Sequence, residues 1–597
     1  MCGIFVYQGP RSDAAGIVLE GLKRLEYRGY DSWGLAVPGS DGLKTERRVG
    51  KIGAVSANDG PIAALNPSNV AIGHTRWATH GGVTEGNAHP HLSCDGKVGV
   101  IHNGIVENAE ELKAELLAGG HVLASETDSE VIAHLIENLL RDHPLPEAVR
   151  LAFSRLRGRN AIVVLSASAG KVLVVAKSGS PVVIGIGGNE SAPEYFVSSD
   201  MPALLAHTNR LVWLGDHEMA TIDGSLKFAS TSTGEPISRQ SEIVAWEPEQ
   251  AERGEHPHFM LKEILEQRDA VQRAINQPPA LLDEVAAVMR VAQEVCFIGC
   301  GTAGAVGRIG TYLFADIAGR ATSAILGSEF KNYRHSLHER TLLIAISQSG
   351  ETADLLEAVD IALARGSRVV AIVNVPGSML TRKAHYTLLV QAGPEKAVAS
   401  TKATMGQIAV LGLLAHACAG QAAHGHALLT NVASHIDALT TPDYMGRVAR
   451  LANRLAGEDD LYVIGRGINY PVALEAAIKV QEVSYIHAEG IAGGELKHYA
   501  IALIQPGTPC IILASNDDAR AEILSNAAQV KARGGMIIGV GPEDNPIFDE
   551  YLPVPDGGGL SPLLTLIPMQ ILAYYLACAR GNDPDMPRNL AKSVTVK

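Results

Sequence analysis

The chain has 597 residues, 46% of them hydrophobic and 19% charged, with a net charge of -14 and a pI near 5.8. That length exceeds what one hydrophobic core supports, so about three or four compact units are expected; the acidic balance gives no electrostatic footprint for nucleic acid and points to small molecules or further copies of the chain as partners. No basic stretch followed by an apolar run opens the sequence, no later segment reaches about 18 uninterrupted apolar residues, and seven scattered cysteines contain no CxxC pair. These features predict a cytoplasmic protein with reduced thiols, and argue against export, a membrane span, a disulfide framework or a thiolate zinc site.

Along the chain, alternating apolar segments at Gly3–Tyr7, Val98–His102, Ala161–Leu165 and Glu218–Ile222 predict strands, and Glu110–Leu117 predicts a helix, giving antiparallel sheet covered by helices. Removal of Met1 would leave Cys2 with its own α-amine beside the thiol, where the amine can act as general base. A cysteine at position 2 is by default incidental; here it is accompanied by His74-Thr-Arg-Trp-Ala-Thr-His80, Asn87-Ala-His-Pro-His91, His102-Asn-Gly104 and Glu126-Thr-Asp-Ser-Glu130. Hydrolysis of glutamine needs a cation for the substrate carboxylate, an anion for its ammonium and donors for the tetrahedral oxyanion; Arg76, Asp128 and the pair Asn103 and Gly104 are of those types. Thr127 and Glu130 have capping-box spacing, which predicts Asp128 in the first turn of a helix.

With Arg28-Gly-Tyr-Asp-Ser32, these motifs make residues 2–240 resemble the class II glutamine amidotransferase domain. The resemblance implies an αββα N-terminal-nucleophile sandwich with Cys2 as nucleophile and Asn103 and Gly104 as oxyanion hole. It further implies that Arg76, Trp77, Thr79, His80, Gly104 and Asp128 bind glutamine, with Trp77 gating an ammonia passage. A metal site among His80, His89, His91 and His102 is the alternative, set aside because carboxylate and thiolate company is missing.

The polar stretch Glu247–His258 breaks every periodicity and reads as part of a linker, 241–260, before a helix from Leu261. Beyond it, strands alternate with helices, and the pattern occurs twice: Cys296–Gly301 matches Tyr462–Gly467, Thr341–Ile346 matches Pro509–Leu513, and Ala364-Arg-Gly366 before Val369–Val375 matches Ala532-Arg-Gly534 before Met536–Val540. Two homologous doubly wound parallel-sheet α/β domains follow, 261–435 and 436–585, with ligands expected beyond the carboxyl ends of the strands.

Ile346-Ser-Gln-Ser-Gly-Glu-Thr352 ends a strand and opens the helix Ala353–Ala364, which suits a phosphate monoester. Ser347, Gln348, Ser349 and Thr352 are the candidate ligands, with the Cys300-Gly301-Thr302 loop beside them; an ordinary Ser/Thr cap is the alternative. On the otherwise apolar helix Pro471–Ile486, Glu475, Lys479 and Glu482 share one face, as an active set or as an ion-pair ladder. The tail 586–597 carries the patterned segment Arg588-Asn-Leu-Ala-Lys-Ser-Val-Thr595.

SQSGETAD, VASTKA, GELKH and PRNLAKSVT together resemble the sugar isomerase half of the glutamine:fructose-6-phosphate amidotransferases, so the likeness spans nearly the whole chain. It implies a Schiff base on Lys592, ring opening by His498, proton transfer by Glu482, charge neutralisation by Lys479 and sugar-hydroxyl contacts from Ser400. Glutamine and fructose 6-phosphate are the implied substrates, with no cofactor or metal, in a cytoplasmic homodimer whose tail contributes to the site. Ala303, Tyr499-Ala500 and Trp33 depart from the usual pattern and leave open a paralogue acting on another ketose phosphate; a sugar-phosphate sensor without turnover is a rival of a different class.

Overall fold

The computed structural model describes residues 2–170, 172–246 and 248–595, and the chain divides into two compact units. One comprises the first 252 residues with the segment from Ser593, the other Arg253–Lys592. The division falls inside the expected linker, where Pro248–Ala251 forms a short 3-10 turn and Glu247 lies outside the described residues.

Among the described residues, the first unit contains an eight-stranded and a seven-stranded sheet packed face to face. In the first sheet β1 (Gly3–Gln8) runs antiparallel between Ala192–Ser198 and β2 (Val70–Arg76). Side chains alternate across a strand, so Ile4 and Val6 face Ile101 and Val163 of the second sheet. Phe5 points the other way, against the helix Ala14–Lys23, where it leaves no room for a Cβ at Gly21. The second sheet contains β3 (Val98–Gly104), and its outer face is covered by α1 (Ala109–Ala118), α2 (Glu130–Leu139) and Leu145–Ser154 through Leu112, Ile132 and Val149. These are the four layers of an αββα sandwich.

The capping-box expectation fails at α2. The Thr127 hydroxyl bonds the His91 Nε2 at 2.9 Å, and Glu130 turns back to accept the amides of Ala124 and Ser125, both at 2.7 Å. The helix therefore begins after Asp128, whose carboxylate is fixed instead by the Val106 amide at 2.7 Å.

The second unit holds two five-stranded parallel sheets of one topology. The first consists of β4 (Glu294–Gly299), β5 (Ser323–Leu326), β6 (Thr341–Ser347), β7 (Arg368–Val373) and β8 (Tyr386–Leu389), ordered β5-β4-β6-β7-β8. The second consists of β9 (Asp460–Gly465), β10 (His487–Ala492), β11 (Pro509–Leu513), β12 (Met536–Gly541) and β13 (Glu550–Pro553), ordered β10-β9-β11-β12-β13. Both are doubly wound, and the crevice in each opens where the winding reverses, between its first and third strands.

Helices from both halves share a core: α3 (Thr302–Ala318) and α5 (Lys402–Cys418) from the first, α6 (Asn469–Ser484) and α7 (Pro562–Ala579) from the second; α4 (Ala353–Ala364) packs on the other face of the first sheet. The segment Gly558–Ala579 contains an 18-residue window with a mean hydropathy of 1.5, enough by length and composition to cross a bilayer, yet 83% of that window is buried. A helix apolar all round finds its partners in a core shared by several helices.

Close packing at the first βα turn sets the position of each crevice. A Cβ on Gly299 would lie 2.6 Å from the Ala303 carbonyl, and one on Gly465 2.0 Å from the Asn469 oxygen, so only glycine lets either helix seat against its strand. Gly465→Ala should destabilise the second unit by about 1–3 kcal/mol through overpacking, measured by chemical denaturation; an unchanged midpoint would show that the turn relaxes without cost.

Candidate active sites

In the first unit, the register Gly3↔Thr75 places Cys2 beside the residues that follow β2. The Trp77 amide donates to the Cys2 sulfur at 3.2 Å, and Asn103, at the end of β3 in the facing sheet, donates through Nδ2 to the Cys2 carbonyl at 2.9 Å. The orientation of that carboxamide is set from behind. His74 Nε2 lies 3.0 Å from the His102 carbonyl and 3.1 Å from Asn103 Oδ1, two acceptors, so Nε2 carries the proton and the Asn103 nitrogen faces Cys2. Burial pushes the His74 pKa down to about 3, which keeps the ring neutral. Next to Asn103, Gly104 has φ +144°, and a Cβ there would stand 2.1 Å from the Arg159 carbonyl.

The buried Arg76 guanidinium donates to the carbonyls of Gly82 at 3.0 Å, Gly81 at 3.2 Å and His80, so it shapes the loop that follows Trp77; burial lowers its pKa, against the pull of the nearby Asp31 and Asp128 carboxylates. Trp77 meets Tyr30 edge-on at 5.3 Å. Cys2, Arg76, Trp77, Asn103, Gly104 and Asp128 thus form one neighbourhood. Thr79 and His80 are exposed on the loop, their side chains 3.3 Å apart. His102, bonded to Ser129 at 2.8 Å and Asn160 at 2.9 Å, and His89, stacked 4.1 Å from His74, are interior packing groups. Sequence reasoning did not assign His74 its positioning role, although the residue stands at the head of the quoted motif.

In the second unit, the loops expected to bind phosphate lie at the reversal point of the first sheet. Gly301 (φ +54°) leads from β4 through Cys300 into Thr302, the first residue of α3. The Ser347 oxygen accepts the Gly350 amide at 2.9 Å and the Ser349 oxygen accepts the Glu351 amide at 3.2 Å, so both serines bond amides of their own turn. Thr352 caps α4 with no side-chain bond of its own to the helix, and the Gln348 carbonyl receives the Asn374 amide at 3.2 Å. Thr302 reaches the second half, donating to Glu475 Oε1 at 3.3 Å.

Glu475, Lys479 and Glu482 share one face of α6. Lys479 is buried between Glu475, at 3.5 Å, and Glu482, closer still. Burial disfavours its ammonium, but the two carboxylates outweigh that and its pKa is raised; burial lifts Glu475 to about 7. Lys592 Nζ lies 2.6 Å from Glu395 Oε2, both side chains nearly inaccessible. Glu395 also accepts from Ser400 Oγ at 2.9 Å and from the amides of Thr401 and Ala403 at 2.9 and 3.0 Å. Burial opposes its charge, yet Lys592 and these donors hold its pKa below the usual range, whereas burial and the Glu395 charge push neighbouring Glu263 up to about 8. Sequence reasoning missed Glu395, whose only signal is its place five residues before Ser400. His498 lies exposed in the turn after β10; among the described residues no hydrogen bond or ion pair joins its ring to Glu482 or Lys592.

Comparison with known proteins matches residues 74–206 to a glutamine amidotransferase domain and residues 289–417 and 454–576 to the SIS domain. The glutamine–fructose-6-phosphate aminotransferase [isomerizing] of Pyrococcus horikoshii is 42% identical over the full length of both chains, and that of Symbiobacterium thermophilum 43%. A solved C-terminal domain of the glucosamine-fructose-6-phosphate aminotransferase from Francisella tularensis is 31% identical, covers 56% of this chain and all of its own, and has a TM-score of 0.53.

The Glu475 shift has a measurable consequence. Its folded pKa of about 7 lies above the ordinary carboxyl value, so between about pH 4.5 and 7 the folded state holds a proton that the unfolded state has lost, and stability falls as pH rises through that window. Denaturation midpoints across this range should fall less steeply for Glu475→Gln than for the parent; identical slopes would remove Glu475 as a source.

Proposed function

The chain belongs to the isomerizing glutamine–fructose-6-phosphate aminotransferases, and from that premise we propose how its residues divide the work. The enzyme hydrolyses glutamine to glutamate and transfers the ammonia to fructose 6-phosphate, giving glucosamine 6-phosphate, the entry into amino sugar synthesis. Residues 2–240 are the glutaminase, 261–435 and 436–585 the two isomerase domains, and 586–597 a tail that supplies Lys592.

Cys2, freed by removal of Met1, attacks the glutamine amide carbon after its thiol proton passes to the α-amine. Asn103 Nδ2 and the Gly104 amide receive the developing oxyanion, with His74 fixing the carboxamide. Arg76 and Asp128 take the substrate carboxylate and ammonium, Thr79 and His80 line the entrance, and Trp77 gates the departing ammonia.

In the isomerase half, Ser347, Gln348, Ser349 and Thr352, with Cys300, Gly301 and Thr302, cradle the phosphate. His498 opens the sugar ring, and Ser400 holds a sugar hydroxyl. Lys592, fixed by Glu395 2.6 Å away, attacks the C2 carbonyl as its protons pass to the carbonyl oxygen, which leaves as water to form the imine; ammonia then displaces the lysine. Glu482 moves a proton from C1 to C2 while Lys479 offsets the charge that develops. The observation that carries this assignment is the Lys592–Glu395 pair: the tail lysine is held out of water, its side chain 4% exposed, on a carboxylate that also bonds Ser400. The enzyme acts as a cytoplasmic homodimer through its isomerase halves; exposed Tyr499 and Leu503, 53% and 49% accessible beside His498, are surface for a second copy.

Borohydride reduction in the presence of fructose 6-phosphate should trap sugar on the parent and on Cys2→Ala, which loses all glutaminase activity, but not on Lys592→Ala. Undiminished trapping on the last variant would transfer the imine to another amine. Sedimentation should show a dimer for the parent and a shift toward monomer for Tyr499→Glu with Leu503→Glu; an unchanged dimer would place the interface elsewhere.

A further inference from the structure

Four side chains from three pieces of the first unit converge away from the glutaminase residues. Cys94 stands in the turn between His91–Leu92 and β3, His121 follows α1, and His134 and Glu137 lie one turn apart on α2. Their donor atoms are all within 4.8 Å of one another. The Cys94 sulfur is 3.5 Å from Nδ1 of both His121 and His134, and each of these nitrogens is 3.2 Å from Glu137 Oε2.

A tetrahedral zinc ion bonded at about 2.3 Å to sulfur and about 2.0–2.1 Å to nitrogen and oxygen has sulfur–nitrogen edges of about 3.6 Å and nitrogen–oxygen edges of about 3.3 Å. Four of the six separations match those edges, and the other two, between the Nδ1 atoms and between sulfur and carboxylate, lie within 4.8 Å. Hydrogen bonding accounts for them less well, because a neutral imidazole Nδ1 carries at most one proton and each one here faces both a sulfur and a carboxylate oxygen. The histidine side chains are 3% and 1% exposed, and the amides of Cys94 and Asp95 hold Glu137 at 3.1 and 3.3 Å. Behind His134, its Nε2 makes no hydrogen bond but faces Glu130 Oε1 at 3.6 Å, within ion-pair range. Cys94 is exposed and offers an entry path.

We propose that Cys94, His121, His134 and Glu137 form a structural zinc site. One thiolate, two imidazoles and one carboxylate suit zinc and not magnesium or calcium, which take oxygen ligands; four protein ligands leave no open position for chemistry. The ion ties the turn before β3, which ends in Asn103 and Gly104, to α2, which begins two residues after Asp128, and so braces two walls of the glutaminase site from outside.

Untagged full-length protein, stripped with chelator and titrated with zinc alone, should bind one equivalent per chain. Cobalt in its place should give tetrahedral visible bands and a thiolate charge-transfer band. Cys94→Ser, altered at an exposed position, should lose that charge-transfer band and bind zinc at least about 100-fold more weakly, beyond the effect of an outer-shell change. Glu137→Gln should keep the band and lose affinity, with circular dichroism confirming the fold of both. Failure of the parent to bind one equivalent, or a cobalt spectrum unaltered in Cys94→Ser, would overturn the site.

Discussion

An ionised amine removed from water must be compensated where it lies, and the second unit is arranged around that requirement. Lys592, Lys479 and Lys402 are buried, and each has a carboxylate within ion-pair distance: Glu395 for the first, Glu475 and Glu482 for the second, Glu266 for the third. Glu395 is satisfied in turn by two amides and a hydroxyl, whereas Glu475 receives only Thr302 from the other half on Oε1 and keeps Oε2 without a hydrogen bond. Breaking such a pair by removing one partner leaves an uncompensated buried charge, far more costly than the pair's own net contribution. The same desolvation divides the two carboxyls: Glu395 is held in its charged form by Lys592 and its donors, while burial beside that charge raises Glu263 to about 8.

The first unit pairs its buried cations likewise, Arg28 with Asp200 and Lys177 with Asp216, but surrounds Asn103 with neutral groups. His74, His89, His91 and His102 are all buried with pKa values lowered by desolvation, and they act as uncharged donors and acceptors. Their value lies in direction: one protonated nitrogen on His74 settles which end of Asn103 meets Cys2.

Much of this was legible in the sequence because the elements carry strong periodicity or glycine punctuation. The strand Glu218–Ile222 and the helix Ala353–Ala364 have the expected bounds, and the repeated GxG turns mark both crevices. The motif residues Cys2, Asn103 and Arg76 come together, as do Glu475, Lys479 and Glu482. What escaped depends on distant partners. Glu395 is a single acidic residue in a loop until Lys592 folds onto it, and the capping-box spacing at Thr127 is overruled by His91 and by the amides of Ala124 and Ser125. The four convergent ligands near α2 escape spacing rules because they belong to three separate elements. Trp33, a departure from the family pattern, is absorbed into the core with the Arg48 guanidinium 5.6 Å above its ring.

The common core of the two isomerase halves bears on how the protein comes apart. Phe297 and Ile344 of the first half belong to the same continuous apolar cluster as Val463, Ile511 and Leu563 of the second, with α7 buried along nearly its whole length. Neither half can open without exposing the interior of the other, so the duplicated halves behave as a single cooperative melting unit despite their separate sheets. Duplication at the level of topology has become fusion at the level of thermodynamics: a core shared in this way is expected to put the slowest amide exchange in strands of both sheets alike, and a fragment ending between them would retain a sheet but lose half the interior that stabilises it.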